Sequence, residues 1–250
     1  MTYCLGLLCN DGVVFVSDTR SNAGMDNIAV HRKMHVYEQP GDRVICLMAS
    51  GNLSLTHSIL ALIDEDLMAG KVSPERATLM NQLTMYETAR YVGQKIREVG
   101  ALDREYLEKD DFKFNIHILV GGQIGDMPHN LLYVYPQGNV MRASSDTPFL
   151  QIGESKYGKP ILDRGFNCRT PLNEAVKLGV LSMDSTMKSN LSVGPPIDVL
   201  CYEKDTLRVT HRARLKEGDP YLQTIRQKWG EGLTELARSM PPLEWPPEEK

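Results

Sequence analysis

The first twenty residues, MTYCLGLLCNDGVVFVSDTR (1–20), decide the fold of this chain. Two apolar runs, at 2–9 and 13–17, flank the tripeptide NDG at 10–12. Asparagine, aspartate and glycine tolerate the positive backbone angles of a tight turn, so this pattern predicts an antiparallel hairpin. Its first strand starts directly behind the initiator methionine. We therefore expect Thr2 to be held at a sheet end, although residues next to a chain terminus are usually frayed.

The rest of the chain alternates further hairpins with amphipathic helices. Turn sequences at 39–42 and 136–139 predict two more hairpins. Apolar residues that recur every three or four positions predict helices, the second of which is expected to stop at Gly100. The expected helices span 53–68, 78–99, 156–163, 172–187 and 221–239, and the closing strands at 197–203 and 207–213 are joined across Lys204-Asp205. This order predicts the α+β class, with two mainly antiparallel sheets packed face to face and helix pairs on their outer faces.

Composition and length indicate a single globular domain. Of the 250 residues, 42% are hydrophobic and 24% are charged, which is ordinary for a globular protein with one sizeable core. We predict this domain at 1–239 and a Pro/Glu-rich tail at 240–250, whose prolines exclude regular structure. Trp245 in the tail leaves two alternatives open: a loose chain end, or an anchor for a groove on a neighbouring subunit.

Several functional classes are excluded by charge and segment patterns. The net charge is −4, and no cluster of Lys and Arg is interleaved with aromatic residues, so no nucleic-acid partner is expected. No stretch has the length of a membrane span or the order of a secretory signal, which predicts a cytoplasmic protein without a membrane partner. The five cysteines are odd in number and widely spread, as expected for reduced core thiols.

Thr2 acquires a particular chemistry if Met1 is removed. The new first residue would carry a hydroxyl nucleophile and an α-amine that can serve as its base. An α-amine has a pKa of roughly 7.7–8, and a nearby cation lowers that pKa further. Lys33, at the start of a strand, is the candidate cation, and Asp18, at the end of the second strand, is the candidate anion that holds it. Gly51 lies between a buried strand and a helix, where its backbone N–H can stabilise an oxyanion.

The stretches around these residues, taken in order, resemble the proteasome β-subunit family of N-terminal threonine hydrolases. The resemblance is carried by Thr2, DGVVFVSDTR, RKMHVY and ICLMASGN, by the block 117–163, and by LNEAVKLGVLSMDSTM and SVGPPIDVLCYEKD. The start MTYCLGL, the stretch SVGPPID and the Trp-containing C-terminal extension are most similar to a bacterial branch of that family.

The resemblance implies a four-layer αββα sandwich in which Thr2 is the nucleophile. It implies Asp18 and Lys33 as the charged partners of Thr2, Gly51 as the oxyanion donor and Ser192 as a supporting serine beside the amine. It also implies self-assembly into a ring or an open spiral, and a peptide or an unfolded protein as the substrate. Whether an ATP-dependent unfoldase delivers that substrate stays open.

Three positions depart from the family pattern. The segment from Lys33 to Gly51 is longer than in typical members. Ser189 or Asn190 stands where the family has an aspartate in the loop before the penultimate strand. The serine expected after the dipeptide IG is displaced to position 155 by Glu154.

The sequence leaves two other functions open: hydrolysis of small-molecule amides by the same fold, and a non-catalytic role in an assembly. No metal or organic cofactor is required by any of the three functions. His31 and His35 flank a predicted strand without an acidic or cysteine ligand nearby, which favours structural histidines over a metal pair. The glycine cluster VGGQIG at 120–125 has no helix after it, so it predicts a close backbone approach or a turn rather than a phosphate site.

Overall fold

The computed structural model of the protein describes residues 2–22 and 28–245. The described residues form strands β1 (Tyr3–Cys9), β2 (Gly12–Ser17), β3 (Arg20–Asn22), β4 (Ile28–Val30), β5 (Met34–Gln39), β6 (Arg43–Gly51), β7 (Ile116–Ile124), β8 (Asn130–Val134), β9 (Val140–Arg142), β10 (Phe149–Gly153), β11 (Ile197–Glu203) and β12 (His211–Leu215). The helices are α1 (Leu53–Gly70), α2 (Met85–Lys109), α3 (Lys159–Gly165), α4 (Leu172–Ser189) and α5 (Pro220–Ser239).

Two antiparallel five-stranded sheets organise the molecule. The first has the order β10-β1-β2-β11-β12, and the second has the order β5-β6-β7-β8-β9. The predicted hairpin at 10–12 joins β1 to β2, with Cys9 paired to Gly12 and Cys4 paired to Ser17. β3 and β4 form a separate two-stranded sheet. Since β1 is flanked by β10 on one side and β2 on the other, the start of the chain lies inside a sheet rather than at its edge.

Three hydrophobic clusters define four layers. One cluster lies between the sheets and contains buried side chains of both, such as Phe15 from β2 and Leu119 from β7. A second packs α1 and α2 against the outer face of the second sheet, and a third packs α3 and α4 against the outer face of the first sheet. The predicted four-layer αββα sandwich of the α+β class is therefore confirmed.

The glycine cluster in β7 lets the two sheets approach each other. A Cβ atom at Gly121 would lie 2.7 Å from the ring of Phe15, which belongs to the opposite sheet. Gly122 has a φ of +137°, and a Cβ atom there would lie within 1.9 Å of the Val44 carbonyl oxygen. The predicted close backbone approach is confirmed, because only glycine fits at these two positions.

The second helix was predicted wrongly at both ends. It begins at Met85 instead of 78, because Thr84 caps it by accepting a hydrogen bond from the Glu87 backbone N–H at 3.1 Å. The sequence TMYE carries this signal, since a threonine followed three residues later by a glutamate is a typical helix start. The helix also continues through Gly100 to Lys109. Gly100 lies beneath the ring of Phe114, so its missing side chain serves packing rather than helix termination.

Two other predicted boundaries need correction. α3 begins at Lys159 rather than at 156, which places Pro160 in the first turn, where a proline costs no backbone hydrogen bond. The strands β11 and β12 are joined by a loop over 204–210 rather than by a tight turn at Lys204-Asp205. The Gln123 side chain from the second sheet holds this loop, because its amide accepts from the Asp205 backbone N–H at 2.8 Å. The remaining helices lie within two residues of their predicted bounds.

The C-terminal tail has no regular structure over 240–245. Trp245 is 81% exposed, so the described residues leave most of its side chain uncovered. Both alternatives for this tail therefore stay open, and residues 246–250 lie outside the described part of the chain. Over 2–22 and 28–245, no helix combines the length and the apolar character needed to cross a membrane.

Candidate active site

Asp18 is placed beside the first strand by the hairpin itself. It follows the last residue of β2, and its backbone N–H donates to the Tyr3 carbonyl at 3.1 Å. In return, the Tyr3 N–H donates to Asp18 Oδ1 at 3.0 Å. The carboxylate of Asp18 therefore lies one residue away from Thr2.

Lys33 forms a buried ion pair with this carboxylate. Lys33 comes directly before β5 of the second sheet, and its Nζ lies 2.7 Å from Asp18 Oδ1. The same Nζ donates to the Arg20 carbonyl at 2.6 Å. Asp18 is fully buried and Lys33 is 6% exposed, so neither charge is solvated by bulk water. Two strand ends from opposite sheets thus meet at one charged pair.

Several hydrogen-bond donors favour the ionised form of Asp18 against the effect of burial. Burial raises the pKa of Asp18 above its usual value, and the Lys33 ammonium and the N–H groups of Tyr3 and Gly194 reduce that shift without reversing it. The Gly194 N–H lies 3.4 Å from Asp18 Oδ2, which brings the loop before β11 to the same carboxylate. Removing one partner from such a buried pair is costly, because the other charge remains in a poorly solvated position.

Gly51 lies at the exposed end of β6, near Lys33. The Ala49 N–H, two residues earlier on the same strand, donates to the Lys33 carbonyl at 3.0 Å. Gly51 has a φ of +118°, and a Cβ atom there would lie 2.2 Å from the Asn115 carbonyl oxygen. The segment between Lys33 and Gly51 forms the β5–β6 hairpin, whose register runs from Met34 opposite Met48 to Gln39 opposite Arg43. The contact between Ala49 and Lys33 therefore closes the open end of this hairpin.

Thr2 is held by the end of β10, one of the two strands that flank β1. Its carbonyl accepts a hydrogen bond of 2.7 Å from the Glu154 N–H, which continues the β1–β10 ladder by one residue. A side chain at Gly153 would collide with the Thr2 carbonyl, and Gly153 has a φ of +86°. The Cys4 side chain lies in the cluster between the sheets, and residues two apart on a strand share a face, so Thr2 points toward the interface from which Lys33 comes.

The loop after α4 approaches the same region through Asn190. The Asn190 side-chain amide donates to Glu154 Oε2 at 3.0 Å, and its carbonyl oxygen accepts from the Ser192 N–H at 2.9 Å. Ser192 is thus tied to the site through its backbone. Of the two residues that could replace the expected aspartate, Asn190 is the one that contacts Glu154.

Three groups at this site escape sequence reasoning. The Arg20 carbonyl and the Gly194 N–H are backbone groups, so no pattern of side chains in the sequence predicts their positions. The carboxylate of Glu154 follows the dipeptide IG, but its contact with Asn190 depends on a loop 36 residues away. Only its position at the end of a strand paired with the first strand could have indicated its role.

Other candidate nucleophiles and ligands are less suitable. Burial raises the pKa of the Cys4 thiol far above its usual value, so this thiol stays protonated. No group of three or more His, Cys, Asp and Glu side chains within the described ranges is arranged to hold a metal ion. The His31 ring lies against His57, with 6.1 Å between the ring centroids.

Comparison with known proteins identifies the family. Residues 2–201 match the protein-family profile described as "Proteasome subunit". A curated relative, the proteasome subunit beta of Haloquadratum walsbyi, is 22% identical over 218 residues, which cover 86% of this chain and 79% of the relative. The chain therefore belongs to the proteasome β-subunit family.

Within this family, the chain is similar over nearly its whole length to solved Anbu (ancestral beta-subunit) proteins. Anbu from Yersinia bercovieri is 42% identical with a TM-score of 0.89, and the match covers 98% of this chain and 99% of that one. The chain solved as the helical assembly of the Anbu complex from Pseudomonas aeruginosa is 40% identical with a TM-score of 0.89, covering 97% and 98%. These proteins form the bacterial branch that the start, the SVGPPID stretch and the Trp-containing extension indicated.

Proposed function

We propose that this protein is a threonine-type peptidase, or amide hydrolase, whose nucleophile is Thr2 after removal of Met1. The observation that carries the proposal is the buried Lys33–Asp18 pair, which is hydrogen-bonded to the backbone of the residue next to Thr2. A lysine this buried has to be paired, and here its partner is anchored to the strand that begins with the candidate nucleophile. The family membership supports the hydrolase class.

In the proposed mechanism, the Thr2 hydroxyl oxygen attacks the carbonyl carbon of an amide bond. Its proton passes to the α-amine and from there to the leaving amine, so that an acyl ester forms as the amide C–N bond breaks. Water then attacks the ester, releases the acid and returns the proton to the hydroxyl. The Lys33 ammonium stabilises the alkoxide that develops on Thr2, and the Gly51 N–H stabilises the oxyanion.

Asp18 acts on Lys33 rather than on the substrate. Because Asp18 Oδ1 accepts from both Lys33 and Tyr3, it fixes the ammonium relative to the first strand. Ser192 and Asn190 would support the amine from the loop side. The proposal treats 1–239 as one hydrolase domain followed by the tail at 240–250, and the free state of all five cysteines favours a reducing cytoplasmic compartment.

We also propose that the protein acts as a homo-oligomer on peptides or unfolded chains. The helical assembly described for the Pseudomonas aeruginosa relative supports an assembly of this kind. Hydrolysis of small amides by the same site is distinguished from peptidase activity by analysing the products from peptide and small-amide substrates side by side.

The first test is covalent labelling with a peptide epoxyketone, which closes a ring on a free N-terminal threonine. The intact mass of the purified protein is expected to show loss of Met1 and one adduct. The variant Thr2→Ala should show no adduct and at least a hundredfold less turnover, because it lacks the nucleophile. A wild-type protein that retains Met1 and stays unlabelled, or a Thr2→Ala variant with full turnover, would reject the proposal.

A further inference from the structure

Glu154 lies directly across from Thr2 in the sheet. The register pairs Tyr3 with Gly153, so the next pair outward is Thr2 with Glu154, and the Glu154 N–H donates to the Thr2 carbonyl at 2.7 Å. Residues directly opposite each other in an antiparallel pair project their side chains from the same face, with Cβ atoms about 4.5–5.5 Å apart. Ile152, two residues before Glu154, lies in the cluster between the sheets. The Glu154 side chain therefore starts on the same face as the Thr2 hydroxyl.

The backbone of Thr2 also turns its nitrogen toward Glu154. In a strand, the N–H and C=O of one residue point to the same neighbouring strand. The Tyr3 nitrogen and carbonyl both face Asp18 on one side. The Thr2 carbonyl faces Glu154 on the other side, so the Thr2 nitrogen points to that side as well.

Within the described part of the chain, the Glu154 carboxylate has few partners. Its side chain is only 9% exposed, and Oε2 accepts from the Asn190 amide at 3.0 Å. Among the described residues, Oε1 has one partner, Lys156, at 4.0 Å, and that lysine side chain is 72% exposed. A buried carboxylate with so little compensation is unfavourable unless a further cation approaches it.

We propose that Glu154 is a positioning residue whose carboxylate binds the α-ammonium of Thr2 once Met1 has been removed. This inference rests on the proposed function, in which that amine becomes the base. The neutral amine accepts the hydroxyl proton, so a carboxylate that stabilises the protonated amine raises the pH at which the base becomes available. The Lys33 ammonium has the opposite effect and lowers the pKa of the amine. The Asp18 carboxylate weakens the effect of Lys33, and the Lys156 ammonium weakens the effect of Glu154.

The test measures the pKa of the Thr2 α-amine without relying on turnover. The full-length protein is prepared with Thr2 as its first residue, by cleavage of an N-terminal fusion if Met1 is retained. The amine is acylated with an isotope-labelled anhydride over a pH series, and the N-terminal peptide is quantified by mass spectrometry. Glu154→Gln is expected to lower the amine pKa by about one unit. The same variant should shift the rising limb of the pH–rate profile to lower pH by the same amount.

Two controls make the result decisive. Glu154→Gln keeps an oxygen that accepts from Asn190, so its thermal unfolding should match that of the wild type. Asp163→Asn removes one negative charge from an exposed pair with Lys159 and should leave the amine pKa unchanged. Equal amine pKa values in the wild type and in a folded Glu154→Gln variant would overturn the inference. If Glu154→Gln lowers the amine pKa but the protein has no Thr2-dependent turnover, the proposed function is rejected and the contact between Glu154 and the amine is retained.

Discussion

At the scale of single residues, the site depends on one charged pair that joins the two sheets. Lys33 directly precedes a strand of the second sheet and Asp18 directly follows a strand of the first, and both are almost without solvent exposure. Such a pair contributes little net stability compared with apolar side chains, but it fixes the position of an ammonium group. The role of the pair in positioning the ammonium can therefore be measured separately from its contribution to the free energy of unfolding.

A comparison of a single and a double variant at this pair separates the two effects. Lys33→Met is expected to cost about 3–5 kcal/mol of unfolding free energy, because Asp18 remains buried without its cation. The double variant Lys33→Met/Asp18→Asn should recover most of that loss, since no charge is then buried. Both variants should lose epoxyketone labelling. Urea unfolding and intact mass measure the two quantities, and labelling at the wild-type rate in the double variant would show that the pair is not part of the site.

At the scale of secondary-structure elements, α1 and α2 are joined by a second buried carboxylate. Asp66 of α1 is contacted by the Tyr91 hydroxyl and the Lys95 ammonium of α2, each at 2.7 Å, and by Arg76 at 2.6 Å. Burial works to raise the pKa of Asp66, but hydrogen bonds from Lys95, Tyr91 and Arg76 outweigh it and lower the pKa to about 2. This cluster ties α1 to α2 and to the segment that joins them.

The lowered pKa predicts a pH dependence of stability. Because the folded pKa lies below the unfolded value of about 3.9, the contribution of Asp66 is present above that value and is lost as the pH falls toward 2. The difference in unfolding free energy between the wild type and Asp66→Asn should therefore be about 2 kcal/mol smaller at pH 2.5 than at pH 6. Denaturant titrations at several pH values measure it. Glu105→Gln, in an exposed pair with Lys109, serves as the control, and a constant difference would contradict the assignment.

At the scale of the whole molecule, the two sheets and the four layers meet in shared clusters of side chains. α5 contributes Leu222 to the outer cluster of the first sheet, while Trp229 lines a groove of about 340 Å³ with Lys177 and Leu181 of α4. We therefore predict that α5 unfolds with the rest of the domain.

This prediction is tested by comparing two probes of unfolding. Both tryptophans, Trp229 and Trp245, belong to α5 and the tail, whereas far-UV circular dichroism reports all helices and strands. Coincident denaturant transitions at a fixed protein concentration are expected for one cooperative domain. A fluorescence transition at lower denaturant than the dichroism transition would indicate that α5 is a separate unit.

The sequence alone determined the local elements and the order of the candidate residues. The NDG turn, the helical periodicities and the stretch from Thr2 to Gly51 are local patterns, because turn angles and apolar faces depend on neighbouring residues. The same patterns gave wrong ends for α2. The Thr84 cap sets its first residue, and Phe114 packs over Gly100, through which the helix continues.

Only the tertiary structure decided which groups meet at the start of the chain. Glu154, Asn190 and the Gly194 N–H come from segments more than 130 residues away from Thr2, and the Arg20 carbonyl carries no sequence signal at all. Their convergence follows from β1 lying between β10 and β2 inside a sheet. The register of these strand pairs depends on contacts between residues that are far apart in the chain, so no local sequence pattern predicts it.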